Sequence, residues 1–72
     1  MYLNIFAEMA RKQLDKQGMA KLMSITPELF EAKLNKKSKL TIKDIFKMQK
    51  IFNTKYCTFE YLLNESNYKR EN

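Results

Sequence analysis

Apolar residues recur every three or four positions along most of this chain, the period of an α-helix lying on a core. No run alternates apolar and polar residues as a half-buried strand would. The spacing predicts a first helix over 4–13, with Phe6, Met9, Ala10 and Leu14 on one stripe. Asp15 stands as the N-cap of a short second helix whose inward residues are Met19, Ala20, Leu22 and Met23. Gly18, near its start, lowers intrinsic helicity by about 1 kcal/mol relative to Ala, so packing must hold that helix in place. Thr26-Pro27-Glu28 then supplies a capping hydroxyl, a proline at the first helical position and an acid in the first turn. The helix it opens spans 27–35, with Phe30 and Leu34 on one face. After the polar connector Lys36-Lys37-Ser38-Lys39, Thr41 caps a fourth helix with Asp44 at the capping-box position. Ile45, Met48 and Phe52 form its stripe, supported by Ile42 and Ile51. Thr58 caps a last short helix carrying Phe59, Leu62 and Leu63. The pattern predicts an all-α, compact five-helix bundle over 1–65 and a frayed polar tail over 66–72.

Composition narrows the chemistry. A chain of 72 residues holds one small domain, and its core is marginal without a staple. The single cysteine, Cys57, cannot close an intrachain disulfide, and there is no histidine to join it on zinc. At 44% hydrophobic residues the chain is globular in composition, so helix packing or a partner must supply the stability. Lacking histidine, it also lacks the usual acid–base and nucleophilic arrangements, and the expectation is a binding protein with no catalytic residues, metal or cofactor. Cys57 reads as a small buried or half-buried residue in a reducing compartment rather than a reactive thiol, because only Lys55 stands near it to lower its pKa. With no signal peptide, lipidation motif or long apolar run, the expected location is cytoplasmic.

Residues 15–35 combine what a helix-turn-helix unit requires. Ala20 is the small residue at the helix crossing, Met19, Met23 and Ile25 are its apolar flanks, and Phe30 anchors the second helix. Ser24 occupies the turn position where glycine is common. The string Met19-Ala20, Met23-Ser24-Ile25-Thr26-Pro27, Phe30, Lys33-Leu34-Asn35 resembles the Cro and phage-repressor class of helix-turn-helix proteins. The resemblance covers 3–65, taking in Asn35-Lys36-Lys37-Ser38, Leu40-Thr41-Ile42 and Thr58-Phe59-Glu60-Tyr61-Leu62-Leu63. It implies a five-helix Cro/repressor-like fold. In DNA-binding members, the second helix of the motif enters the major groove and its early exposed residues read base edges.

The placement of charge changes what that resemblance implies. The chain carries a net charge of +6, yet residues 15–35 are neutral, with Lys16, Lys21 and Lys33 balancing Asp15, Glu28 and Glu31. Residues 36–55 hold seven lysines against Asp44 alone, which is the whole surplus. Lys43, Lys47 and Lys50 share one face of the fourth helix, either as a solvated face or as a surface for phosphates or an acidic partner. The outward positions of helix 27–35 are Glu28, Leu29, Glu31 and Ala32, a poor set for reading bases in a phosphate-lined groove.

Two function classes follow. One is a Cro-like repressor, with Lys36, Lys37 and Lys39 on phosphates and Glu28, Lys33 and Asn35 near the groove. The other is an antirepressor of the lysis–lysogeny switch. There, Glu28, Leu29, Glu31 and Ala32 form an acidic-apolar patch that binds the DNA-binding domain of a partner phage repressor and blocks its operator binding. DNA contact would then be secondary, through phosphates at Lys33, Asn35, Lys36, Lys37 and Lys39 or in a joint complex. Length, layout and the atypical second helix resemble the modulator-of-repression family of phage antirepressors, and the second class is favoured. A blander reading is an oligomerising helical domain whose exposed Leu29 marks a self-contact.

Overall fold

Side-chain caps fix where four of the helices begin. In the computed structural model, which describes residues 2–64, the order is α1 (Leu3–Arg11), α2 (Lys16–Leu22), α3 (Pro27–Leu34), α4 (Ile42–Phe52) and α5 (Phe59–Leu63). The described residues are all-helical, with no strand. Asp15 Oδ1 accepts from the Gly18 N–H at 2.7 Å, and Thr26 Oγ1 accepts from the Leu29 N–H at 3.1 Å. Pro27 sits at the start of α3, where a missing N–H removes nothing from the helix. Thr41 and Asp44 form the expected reciprocal capping box, with bonds of 3.2 and 2.9 Å. Thr58 Oγ1 accepts from the Tyr61 N–H at 3.1 Å. Each cap satisfies an amide that the first helical turn leaves without a partner. Glu65 and the expected tail over 66–72 lie outside the described residues.

The first three helices end on left-handed residues, none of them glycine. Gln13, Ser24 and Lys36 take φ of 56°, 61° and 63°. The next amide in each case reaches back across the turn: Leu14 to the Met9 carbonyl at 2.8 Å, Ile25 to Ala20 at 3.0 Å, and Lys37 to Ala32 at 2.8 Å. This is the Schellman closure, which satisfies carbonyls the helix end would leave bare. It stops α1 at Arg11, short of the 4–13 span that periodicity predicts, and stops α3 at Leu34. Leu14 and Ile25 then pack back onto the core.

The core is built from Ile5 and Met9 of α1, Met19 and Ala20 of α2, Phe30 and Leu34 of α3, Ile45, Met48 and Phe52 of α4, and Leu62 of α5. Ala20 is fully buried, and α2 packs on α3. Cys57 is buried, and its carbonyl accepts from Gln49 Nε2 at 2.9 Å. Methionines at four of the core positions suit an interior of short helices, because the unbranched side chain fills irregular gaps. The radius of gyration, 11.1 Å, matches the value of about 11 Å for a packed chain of this length.

Several residues depart from the positions the periodicity assigns. The buried face of α1 is Asn4, Ile5, Glu8 and Met9, whereas Ala10 is exposed and Phe6 half-buried. Two polar residues turn inward there because they have partners: Asn4 Nδ2 donates to the Tyr61 carbonyl at 2.9 Å, and Tyr61 Oη donates to Glu8 Oε2 at 2.7 Å. The Arg11 guanidinium also binds Glu8 Oε2, so the buried carboxylate is paired and hydrogen-bonded. Leu22 and Ile42, expected on inward stripes, are exposed, as is Leu63 of α5. On α4 the inward residues are Asp44, Ile45, Met48 and Phe52, and Ile42, at the first position of the helix, stands at the edge of that face and is exposed. Ile51 is half-buried, in keeping with its supporting place.

Candidate interaction surfaces

The outer face of α3 carries Glu28 and Glu31, both exposed, with Leu29 at 38% exposure and Ala32 half-buried. Helical spacing fixes this division. Phe30, Lys33 and Leu34 point inward at i, i+3 and i+4, so positions 28, 29, 31 and 32 point out. The four residues proposed from the sequence therefore do share one face.

The two acids on that face differ. Glu31 Oε1 accepts from Lys16 Nζ at 2.6 Å, across from the first turn of α2. That hydrogen bond, and then the charge of Lys16, hold the Glu31 carboxyl below its ordinary range against a small desolvation cost, with Lys37 adding to the pull. Glu31 thus stands between two cations of its own chain. The Glu28 carboxylate makes no hydrogen bond or ion pair with another described residue. The acidic patch is narrower than the sequence implies: one uncompensated carboxylate beside one exposed leucine.

Lys33 does not belong to an exposed nucleic-acid surface. It is 8% exposed, and its Nζ donates to Asp44 Oδ2 at 2.7 Å and to the Lys39 carbonyl at 3.1 Å. Burial pushes the Asp44 carboxyl up, but the hydrogen bonds from Lys33 and from Thr41 outweigh it and leave the pKa lowered. The Cro-like expectation sets Lys33 near the groove, and the structure turns it inward. Its register with Phe30 and Leu34 was the signal for the inward position.

The remaining expected DNA-contact residues sit on the turn after α3. Asn35 caps the helix end, and Lys36, Lys37 and Lys39 are exposed. Lys36 is held in the left-handed region with its ammonium 5.8 Å from the ring centre of Tyr2. The turn is tied at one end by the Lys37 N–H bond to Ala32 and at the other by Lys33 on the Lys39 carbonyl. These lysines accordingly leave from a fixed backbone.

A second surface lies on α4. Lys43, Lys47 and Lys50 are exposed on one face, as their spacing requires. Lys47 Nζ donates to the Met23 carbonyl at 3.1 Å, where a cation complements the C-terminal end of α2. Beside the lysines, Ile42 is 64% and Phe46 53% exposed. The ring of Phe46 meets that of half-buried Phe59 edge-on, with centroids 5.2 Å apart. Phe46 has no place in the apolar stripe that periodicity assigns to this helix. The signal was available, since Ile42 and Phe46 form their own i, i+4 pair off the stripe of Ile45, Met48 and Phe52.

Among the described residues, no helix is long and apolar enough to cross a membrane, and no three His, Cys, Asp or Glu side chains gather as a metal site. Comparison with known proteins identifies no matching family model, curated protein or solved structure.

Proposed function

We propose that this protein is a helix-turn-helix regulator of the phage lysis–lysogeny switch, acting as an antirepressor on the DNA-binding domain of a partner repressor in the bacterial cytoplasm. The observation that carries this reading is the outer face of α3. It offers Glu28, Leu29 and Ala32, while Lys33, the one cation of that helix, turns into the core. A DNA-reading helix needs donors aimed at base edges and phosphates. This face instead complements a basic, partly apolar surface, such as the reading head of another helix-turn-helix protein.

The helix pair itself supports the resemblance to the Cro and repressor class. Ala20 and Phe30 are fully buried, and Ser24 adopts the left-handed turn conformation between α2 and α3. The exposed Lys36, Lys37 and Lys39 favour a subsidiary role for phosphate contacts within a joint complex with repressor and operator.

Gel shifts on the adjoining promoter, with this protein alone, the repressor alone and both together, test the reading. The expected result is no sequence-specific retardation by this protein alone and an altered repressor shift in the mixture. Tight, sequence-specific retardation by this protein alone would establish the Cro-like reading instead. Glu28→Lys is expected to weaken the complex with the repressor domain.

A further inference from the structure

The α4 surface is opposite in charge to the α3 face and contributes nothing to the reading above. Ile42 and Phe46 stand one turn apart, both more than half exposed, on an eleven-residue helix whose other apolar side chains are buried or half-buried. Lys43 and Lys50 run along one side of them, and neither ammonium makes a hydrogen bond or ion pair with another described residue. Lys47 is tethered to α2 through Met23 and supplies charge from a fixed place. Phe59 braces the Phe46 ring from below, so the aromatic anchor is largely ordered before anything binds it.

We infer that this face docks an acidic amphipathic helix of a second protein partner. The occupant would seat apolar side chains one turn apart on Ile42 and Phe46, and its flanking carboxylates would meet Lys43 and Lys50. Charge complementarity selects this occupant. Ile42, the more exposed of the two apolar residues, offers neither a stacking plane to a base nor a charge to a phosphate, so a nucleic acid would leave it uncovered. An acidic amphipathic helix covers both kinds of side chain at once, by apolar anchors at helical spacing and ion pairs on the rim. The protein then has two docking faces of opposite sign, and a repressor domain on α3 leaves the α4 face available for a further protein.

The test is an NMR titration of the full chain, following backbone amides. The probe is a synthetic helical peptide of about 18 residues, roughly five turns, with leucines along one stripe and glutamates on both flanks. The comparison probes are the same peptide with glutamine for every glutamate, an oligothymidylate, and vesicles of phosphatidylglycerol in phosphatidylcholine. The expected shifts centre on residues 42–50 and Phe59. Phe46→Ala and the pair Lys43→Glu/Lys50→Glu are each expected to weaken peptide binding about ten-fold, as loss of an anchor does. The glutamine peptide is expected to lose as much, and Leu29→Ala to change nothing, which separates this face from the one on α3. The melting temperature of each variant checks its fold, and Ile42→Ser replaces Phe46→Ala if the latter fails to fold.

The inference is overturned by equal binding of the glutamine peptide, by anchor variants that bind like the parent, or by shifts centred outside α4. Tighter binding of the oligonucleotide or vesicles at the same amides overturns it as well. So do concentration-dependent shifts of those amides in the protein alone, which would make the α3 face of a second copy the occupant.

Discussion

The ammonium of Lys33 lies 2.7 Å from the carboxylate of Asp44, both side chains being about nine-tenths buried, and joins the end of α3 to the first turn of α4. The same carboxylate closes the capping box on the Thr41 N–H, and the same ammonium holds the Lys39 carbonyl. One ion pair thus fixes the backbone on which the connector lysines stand. Burial of such a pair is costly, so its removal in halves should be worse than its removal whole. Asp44→Asn is expected to destabilise the fold by about 3 kcal/mol, chiefly by leaving the Lys33 charge buried and unpaired. Adding Lys33→Met should restore part of that loss, giving a coupling energy of about 1–3 kcal/mol in denaturant unfolding. Additive losses would show that the two groups do not stabilise each other.

The same pair makes a pH prediction. The Asp44 carboxyl is lowered from its ordinary value of 3.8. A lowered carboxylate binds fewer protons folded than unfolded, so its contribution is fully present above that value and declines as pH falls below it. Melting curves taken from neutral pH to pH 2.5 should therefore show the wild type losing its advantage over Asp44→Asn only in the acid limb. A constant gap across the whole range would contradict the assignment.

Tyr61 gives the opposite sign. Burial, and then the hydrogen bond to Glu8, raise its pKa above 10.0, although Arg11 pulls the other way. The stabilisation is therefore complete below pH 10 and is lost as pH rises through the folded value. Tyr61→Phe removes the hydroxyl that bonds the buried Glu8 carboxylate and should destabilise the fold by about 2 kcal/mol at neutral pH. Its melting temperature should also fall less steeply above pH 10 than that of the parent, which separates loss of this hydroxyl from general alkaline unfolding.

Much of this fold was written locally. Asp15, Thr26, Thr41 and Thr58 each precede an apolar stripe, and each caps the helix it announces, because capping chemistry needs only the cap and the amide three positions on. What escaped the local pattern depends on partners distant in the chain. Glu8 and Tyr61 are 53 positions apart, and only their meeting explains why a glutamate faces inward while Ala10 faces out. Lys33 turns inward for the same kind of reason, its partner being eleven residues away on another helix. The converse error, apolar Leu22 and Ile42 assigned inward, arises because a small bundle cannot cover every apolar side chain. Of the candidate site, the side of α3 that faces outward was legible, but the neutralisation of Glu31 by Lys16 was not.

The turn at Ser24 supplies a prediction about backbone strain. At φ 61° a side chain costs about 1–2 kcal/mol relative to the right-handed region, and glycine does not incur this. Glycine also loses more chain entropy on folding, by about 0.5–1 kcal/mol. Ser24→Gly should thus stabilise the protein by about 0.5 kcal/mol net, or a few degrees in melting temperature. Ser24→Val, β-branched at the same φ, should lower stability well below the parent. Equal melting temperatures for all three would mean that the turn relaxes out of the left-handed region.

Lys16 bears on partner binding through Glu31. Their ion pair is exposed at both ends and contributes little to stability, so Lys16→Met should melt close to the parent. It should nevertheless release the second carboxylate of the α3 face toward a basic partner. If that face engages the DNA-reading surface of a repressor, Lys16→Met is expected to bind the repressor domain more tightly, with steeper weakening as salt is raised. Glu31→Gln in the same background should cancel the gain, while Glu31→Gln alone should matter less than Glu28→Gln. Calorimetric titration of the four variants against the repressor domain measures each term. A Lys16→Met protein that binds more weakly would show that Lys16 itself contacts the partner, and the acidic character of the α3 face would then not be what draws the repressor in.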